Sequence, residues 1–434
     1  MEQLIKNNPK VINAWCSYDM ANSAYNLIIS TAIFPVYYQG VTSSVFKSSM
    51  LPIFGTQMES SVLYDYAVAV AYFLIIILTP LLSGIADVGG YRKRFMQSFT
   101  LLGAASCIGL YWFSGPNFIY ALTLVMLAVL GYAGSLVYYN SFLPIIATPD
   151  QHDKISARGF SWGYAGSTLL LIVCLVLIIF YKKFGFENDL QPVRLSFLLV
   201  GIWWLLVSQI AFRFLKEYPA KFKMNSGVFT KGFSEIFNVA KIVFKQRPMR
   251  MFLIAFLFFS MGVQTIILVA ALFGSTELGI KGDKLIMTIL IIQIVAIFGA
   301  WLFGKISSTK GNKTSLIIML VIWILVCISA KFITGEIQFY ILGAMVGLVM
   351  GGIQSQARST YSKLIPEDTT DTASYFSFYD ITEKIAIVCG MFSFGFIQHQ
   401  SGSMRNSALM LSVFFSISLI IICFTKLPRP IKTK

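Results

Sequence analysis

Long apolar stretches recur along the whole chain and are separated by short polar segments. Each stretch approaches the ~20 residues that a helix needs to cross the apolar core of a bilayer. The pattern predicts an all-α, polytopic membrane protein with twelve transmembrane helices. We place these spans at roughly 12–39, 62–86, 95–114, 118–146, 157–181, 194–215, 250–274, 284–307, 313–332, 336–363, 373–399 and 404–426.

Composition supports residence in a membrane. Of 434 residues, 56% are hydrophobic and only 12% are charged, whereas a soluble protein carries about twice that charged fraction. Little chain remains for a soluble domain. The opening residues, MEQLIKNNPKV, lack the layout of a cleavable signal peptide, so we expect the first span to remain in the mature protein.

The distribution of basic residues predicts the orientation. If the N-terminus lies in the cytoplasm and the chain alternates sides at each span, most of the 34 Lys and Arg residues fall in cytoplasmic segments. This asymmetry follows the positive-inside rule and places both termini in the cytoplasm. The net charge of +15 therefore reflects topology, and we expect the lipid bilayer as a partner and no nucleic acid.

The longest polar segment lies at the middle of the chain and separates six spans from six. It predicts three units: an N-terminal six-helix bundle at 1–215, a cytoplasmic linker at 216–249 and a C-terminal six-helix bundle at 250–434. Apolar residues at helical spacing between Phe233 and Phe244 predict an amphipathic helix on the membrane surface within this linker. A simple tether is the alternative interpretation.

Three pairs of motifs indicate that the two halves are homologous. SGIADVGGYRKR after the second span pairs with GKISSTKGNKT after the eighth, YYNSFLP pairs with TYSKLIP, and ARGFSW pairs with ASYFSF. The pairs occur in the same order and lie about half the chain length apart. Internal repeats with a binding site between them are typical of secondary transporters.

The segment GIADVGGYRKR resembles the loop between helices 2 and 3 of the major facilitator superfamily. The resemblance implies a cytoplasmic gate formed by Asp87, Gly90, Arg92 and Arg94, in which Asp87 contacts helix N-termini and basic groups of the other bundle. A charged turn that only orients the helices is the alternative. Ser308 stands at the matching position of the second half, so we expect a one-sided lock.

A narrower resemblance covers almost the whole chain. The segments WCSYDMANSAYN, YYNSFLPIIA, RGFSWGYAGS, GVQTII, GGIQSQARSTYSKLIP and YFSFYDITEKIAIVCG resemble the vacuole-effluxer branch of this superfamily, which contains autophagy-associated vacuolar amino-acid exporters and their bacterial relatives. Met20, Asp380 and Glu383 depart from the usual pattern. The resemblance implies efflux of an amino acid, and we expect a monomer in a bacterial cytoplasmic membrane.

Polar residues within the spans are candidates for a substrate site, because such residues are costly in a bilayer. Asp19 and Asn22 share one face of the first helix. In the facilitator fold, helices 1, 4, 7 and 10 line the central cavity. The remaining candidates are Asn140, Gln264, Gln293, Gln354 and Arg358. Hydrogen bonds between helices are the alternative role for the amides.

The segment YDITEK places Asp380, Glu383 and Lys384 near the middle of the eleventh span. Three unpaired charges there would cost roughly 8–10 kcal/mol, so we expect partial pairing within protein or water. Asp380 and Lys384 have the i, i+4 spacing of a helical ion pair. Glu383 is then the freer acid and a candidate proton carrier. A purely structural ion pair is the alternative.

Motifs of enzymes and of bound cofactors are missing from the sequence. It has no P-loop, no nucleophilic serine elbow and no HExxH. The six cysteines are scattered singly through the spans, and His152 and His399 belong to opposite sides of the membrane, so we expect no metal and no cofactor. We expect gradient-driven transport of a small polar metabolite such as an amino acid, with protons as the candidate coupling ion. The alternative is a non-transporting receptor or assembly platform that keeps the facilitator fold.

Overall fold

Helices form most of the first half of the chain. The computed structural model describes residues 6–53, 55–217 and 227–428. The first half contains α1 (Pro9–Ala24), a π-helical segment (Tyr25–Ala32), α2 (Phe34–Phe46), strands β1 (Met50–Ile53) and β2 (Thr56–Glu59), α3 (Ser60–Gly89), α4 (Arg92–Gly109), α5 (Phe118–Ser141), α6 (Leu143–Ile146), α7 (His152–Ile179) and α8 (Leu190–Phe214).

The second half consists of long helices joined by short turns. A linker helix, α9 (Gly227–Lys245), precedes them. They are α10 (Arg247–Leu278), α11 (Gly282–Lys310), α12 (Asn312–Ala330), α13 (Glu336–Leu364), α14 (Thr372–Ser401) and α15 (Met404–Phe424).

The predicted spans coincide with these helices, and nine helical segments of the described residues are long and apolar enough to cross a membrane. The other three predicted spans lie in α1 to α2, in α4 and in α14. Of these, α14 contains the charged YDITEK segment, which reduces its hydropathy. The all-α, multi-pass architecture is confirmed, while the count of twelve transmembrane helices stays a prediction.

Each half has its own hydrophobic core. In the second half, Trp323 and Phe415 stack with ring centroids 5.2 Å apart. In the first half, Trp204 is fully buried and stacks on Tyr25 at 5.6 Å. The two largest clusters of buried apolar residues therefore lie mainly in different halves of the chain.

A short β-hairpin between α2 and α3 departs from the all-α prediction. β1 and β2 pair antiparallel, with Met50 opposite Glu59 and Ile53 opposite Thr56. The hairpin lies in a loop between two spans and does not alter the helical architecture.

The linker helix α9 packs against α3 of the first half and against the apolar core of the second half. Its Ile236, Val239 and Val243 are buried, and the backbone of Gly232 approaches that of Gly84 on α3 closely. Phe237 remains 65% exposed, so the helix has one protein-facing and one outward apolar side. Contact of that outward side with a membrane surface stays a prediction, and residues 218–226 of the predicted linker lie outside the described part of the chain.

Candidate functional site

A central cavity of about 150 Å³ lies between the two halves. A cavity of this volume suits a small metabolite. The structure brings almost all predicted substrate and proton-binding residues to its wall: Asp19, Asn22, Asn140, Gln264, Gln293, Gln354, Arg358, Glu383 and Lys384.

Arg358 and Asp19 form a buried ion pair that joins the halves across the cavity. Nη2 of Arg358 on α13 donates to Oδ2 of Asp19 on α1 at 2.9 Å. The same carboxylate oxygen accepts from the Tyr139 hydroxyl at 2.7 Å. The guanidinium also donates to the hydroxyl and the carbonyl of Ser156, at 2.9 and 3.0 Å. A buried charge needs this degree of pairing, because an unpaired one is strongly unfavourable.

Aromatic rings surround the Arg358 guanidinium. Its Cζ lies 4.3 Å from the ring centroid of Phe160 and 4.7 Å from that of Trp15. Gly159 makes room for the pair: a Cβ there would lie 2.5 Å from Asp19 Oδ2 and 2.9 Å from Arg358 Nη2. The small residue at this point of α7 therefore permits the ion pair, in addition to close helix packing.

Lys384 contacts two carboxylates. Its Nζ lies 3.1 Å from Asp380 Oδ1, as the i, i+4 spacing predicts, and also 3.1 Å from Glu383 Oε2. Glu383 is therefore also paired with Lys384, although helical spacing alone had pointed only to Asp380, because the long lysine side chain reaches its neighbour on the helix. Gln264 donates to the other Glu383 oxygen at 3.0 Å.

Asp380 is the one predicted member of the site that does not line the cavity. Its side chain is 5% exposed, and it lies behind Lys384. Its Oδ2 atom has no hydrogen-bond partner among the described residues. Glu383 is more accessible, at 21%, so Glu383 is the acid of this cluster that faces the cavity.

The cavity amides differ in their pairing. Gln354 accepts a hydrogen bond from the Tyr164 hydroxyl at 2.7 Å. Asn22 Nδ2 and Gln293 Oε1 have no hydrogen-bond partner in the described part of the chain. Buried polar atoms are normally paired, so these two atoms offer one donor and one acceptor to a bound molecule.

Sequence reasoning missed several wall residues. Tyr72, Tyr132 and Tyr164 line the cavity, and the Tyr72 ring lies 5.9 Å from Lys384 Nζ. Tyrosines within apolar spans resemble ordinary packing residues, so their position could not be inferred. The π-helical segment Tyr25–Ala32 adds Asn26 to the wall. Such segments are frequent at functional sites, and no signal in this sequence predicts one.

Asp87 connects the halves at the end of the molecule predicted to be cytoplasmic. It is fully buried near the end of α3 and accepts from Arg92 Nε at 2.6 Å. It also accepts from the backbone N–H groups of Ala373 and Ser374, at 3.2 and 2.7 Å. These groups belong to the first turn of α14, where the helix dipole favours a negative charge. Arg92 donates in addition to the Thr370 carbonyl.

Gly90 and Arg94 contribute to this region in other ways. Gly90 ends α3 with φ +69°, a left-handed conformation that glycine adopts without strain. Arg94 is exposed, and its backbone N–H donates to Glu217 at 3.0 Å. Partial burial raises the pKa of the Glu217 carboxyl above its ordinary value. Arg94 thus interacts with the start of the linker, whereas Asp87 and Arg92 contact the second half.

A second cluster of hydrogen bonds joins the two halves, and its acid again belongs to the first half, so the expectation of a one-sided lock stays a prediction. Asp153 on α7 is 1% exposed and accepts from Lys363 Nζ at 2.7 Å and from Ser307 Oγ at 3.0 Å. Asn312 and Ser359 also donate to it, both at 2.8 Å. Sequence reasoning missed this cluster because the acid lies on helix α7 of the first half, and not at the Ser308 position.

Within the described residues, no group of three or more His, Cys, Asp and Glu side chains could hold a metal ion.

Comparisons with known proteins agree with this architecture. The chain resembles the solved major facilitator transporter FucP in its outward conformation, with a TM-score of 0.69, 14% identity and coverage of 96% of this chain and 98% of that one. A bacterial homologue of the iron transporter ferroportin, in an outward-facing state, has a TM-score of 0.67 at 12% identity, covering 95% and 98% of the two chains.

Sequence relatives point to one branch of these transporters. The MFS-type transporter YxiO of Bacillus subtilis strain 168 is 28% identical over 424 residues, covering 97% of this chain and 96% of that protein. Autophagy-related protein 22 of Coccidioides immitis is 26% identical over 426 residues, covering 80% and 69%. The family model described as "Vacuole effluxer Atg22 like" matches residues 7–434. The chain therefore belongs to the Atg22-like vacuole effluxer family, and it is a secondary transporter with the major facilitator fold.

Proposed function

We propose that this transporter moves a small zwitterion, an amino acid or a close analogue, by alternating access. The observation that carries the proposal is the pairing of opposite charges in one small cavity between the halves. Asp19 and Glu383 lie in the cavity wall together with Arg358 and Lys384. A substrate with one ammonium and one carboxylate has a matching partner for each end.

The pairing also suggests how substrate binding would drive the conformational change. The Arg358–Asp19 ion pair joins the two halves. A substrate carboxylate that binds Arg358 would replace Asp19 as its partner, while the substrate ammonium would neutralise Asp19. The bound state would then lose a contact between the halves, and only such a differential interaction can shift a conformational equilibrium.

We further propose that protons couple to transport through Glu383. Two carboxylates share the single ammonium of Lys384, so the cluster has one excess negative charge when both acids are ionised. Uptake of a proton would remove this excess. Glu383→Gln should abolish the pH dependence of transport and leave substrate exchange intact, and Glu187→Gln, which changes an exposed acid, is the control. A pH profile unchanged by Glu383→Gln would contradict proton coupling at this residue.

The proposed orientation places the Asp87 and Asp153 clusters at the cytoplasmic end. Both clusters include hydrogen bonds between the halves, so this structure corresponds to a transporter closed at that end. Similarity to YxiO along nearly the whole chain supports a bacterial cytoplasmic membrane, and the basic residues support cytoplasmic termini.

A thermal-shift screen tests the substrate class. Purified protein is heated with amino acids, peptides, sugars or nucleosides. A ligand at ~100 times its dissociation constant should stabilise the protein by about 2.7 kcal/mol. We expect a shift with an amino acid, which Arg358→Lys abolishes and Glu187→Gln retains. A shift produced only by sugars or nucleosides would contradict the proposal.

A further inference from the structure

A second space, distinct from the central cavity, lies between α7 and α11. This groove has a volume of about 800 Å³. Lys154, Arg158 and Lys305 line it, together with Trp162, Phe298 and Trp301. The substrate site described above uses none of these residues. We propose that the groove binds an anionic phospholipid.

The groove residues follow the order of the layers in one leaflet of a bilayer. On α7, Lys154, Arg158 and Trp162 succeed one another at four-residue intervals, so they share a face and are separated by ~6 Å along the axis. On α11, Lys305 lies one turn after Trp301. The Lys305 cation is therefore nearer the C-terminal end of that helix than the Trp301 ring. Cations at the surface and aromatic rings beneath them match a lipid phosphate above the start of its acyl chains.

The charge of the groove selects an anion. Its three cations have no salt bridge to a carboxylate among the described residues, and no acidic side chain lines the groove. Arg158 donates to the Asn13 side chain at 3.0 Å, and Lys305 Nζ lies 5.6 Å from the Trp301 ring centroid. Asp153, on the same face of the molecule, is buried and paired with Lys363. Basic pockets between transmembrane helices on the cytoplasmic side are known to bind lipid headgroups.

The aromatic side of the groove distinguishes a lipid from a free anion. Phe298 and Trp301 are 62% and 60% exposed, and Trp162 is 37% exposed. These rings present an apolar surface below the cations, which inorganic phosphate would leave uncovered and acyl chains would cover. The floor is formed by small residues, since a Cβ on Gly304 would lie 2.5 Å from that of Ala157.

The position of the groove links lipid binding to the conformational state. Lys154 and Arg158 belong to the first half and Lys305 to the second, so one phosphate would contact both halves. Close behind the groove, Ser307 of α11 bonds to Asp153 of α7. If alternating access separates these helices, the lipid binds the closed cytoplasmic end more tightly and stabilises it. This consequence rests on the proposed transport mechanism, whereas lipid binding itself does not.

Native mass spectrometry of the full-length protein with added phosphatidylglycerol, phosphatidylcholine or inorganic phosphate tests the site. The triple variant Lys154→Gln/Arg158→Gln/Lys305→Gln should bind phosphatidylglycerol on the order of 100-fold more weakly. This expectation follows because each Lys or Arg beside an anionic headgroup strengthens binding by about five-fold, and the three effects multiply. The matched control Lys6→Gln/Lys10→Gln/Lys310→Gln removes three other exposed cations and should retain binding within a few-fold. Phosphatidylcholine should bind weakly to all three proteins.

Three results would overturn the proposal. They are undiminished phosphatidylglycerol binding by the triple variant, an equal loss in the matched control, and displacement of the lipid by inorganic phosphate at similar concentration. The last result would identify a simple anion site. The Trp301→Ala variant adds a separate check, because it should weaken phosphatidylglycerol binding and leave any weak phosphate binding unchanged. Because this assay contains no substrate, its failure is distinguishable from failure of the transport proposal.

Discussion

Replacing Asp87 with Asn should open the end of the molecule that we propose to be cytoplasmic. The carboxylate accepts from Arg92 within its own half, and from Ala373 and Ser374 across the gap. Of these three bonds, only the last two cross between the halves, so they are the part of the Asp87 contribution that favours the closed state. Asn retains the shape of the side chain and removes its charge, and its amide NH₂ cannot accept from a backbone N–H.

The magnitude follows from these two bonds. A hydrogen bond to a charged group contributes about 1.5–3 kcal/mol, and the Asp87 side chain is fully buried, so solvent does not screen it. Loss of one bond, together with weakening of the other because its acceptor is no longer charged, should disfavour the closed state by roughly 3 kcal/mol. A difference of that size changes the closed-to-open ratio on the order of 100-fold.

Spin-label distance measurements in lipid nanodiscs test this prediction. Labels at Lys93→Cys and Asp368→Cys report on the two sides of the gap, in a background without the exposed Cys389 and Cys423. Asp87→Asn should shift the distance distribution to longer values. Asp65→Asn, an identical change at an exposed position of the same helix, should not. Identical distributions in Asp87→Asn and wild type would reduce Asp87 to a residue of the turn.

Three further predictions follow from the site and the topology. Lys384→Ala should abolish transport, because it leaves the buried Asp380 and the cavity-facing Glu383 without their ammonium. Size-exclusion chromatography should still show a monodisperse protein, and near-normal transport would leave the cluster as scaffolding. Gly159→Ala should lower the free energy of unfolding by about 1–3 kcal/mol, because the added methyl group overpacks the Arg358–Asp19 ion pair. The melting temperature should fall accordingly. Gly395→Ala, whose methyl group would meet open space, should leave the melting temperature unchanged. A cysteine at Lys47 should react with an impermeant thiol reagent outside intact cells and one at Lys154 should not; the opposite pattern would invert the topology.

The sequence predicted the helices well because one physical constraint dominates them. A span must be long and apolar enough to satisfy the bilayer, and this requirement is visible in a single sequence. The eleventh span was predicted at 373–399 despite its charges, and the structure has α14 at Thr372–Ser401. The β-hairpin and the π-helical segment depend on local hydrogen bonds, for which composition gives no comparable signal.

Most residues of the central cavity wall were singled out from the sequence, whereas their contacts with one another were predicted less well. Polar residues inside spans are rare, so Asp19, Gln264 and Arg358 were visible as candidates, and the fold brings them to one cavity. Partners were harder to assign. Asp153 lies at the start of α7 and reads as an ordinary interfacial charge, yet it is buried because α11 and α13 cover it. The contact of Glu383 with Lys384 depends on the reach of a flexible side chain, which helical spacing alone does not give.

Counterflow in proteoliposomes tests the central claim most directly. Vesicles that contain the purified protein and an excess of one unlabelled metabolite are diluted into trace labelled metabolite, so that exchange through the transporter gives transient accumulation. We predict accumulation for at least one amino acid, and none for vesicles without protein or with Lys384→Ala. If no solute from a broad panel of amino acids, peptides, sugars and nucleosides exchanges, while a protein partner co-purifies in a fixed ratio, the account of a zwitterion transporter is contradicted.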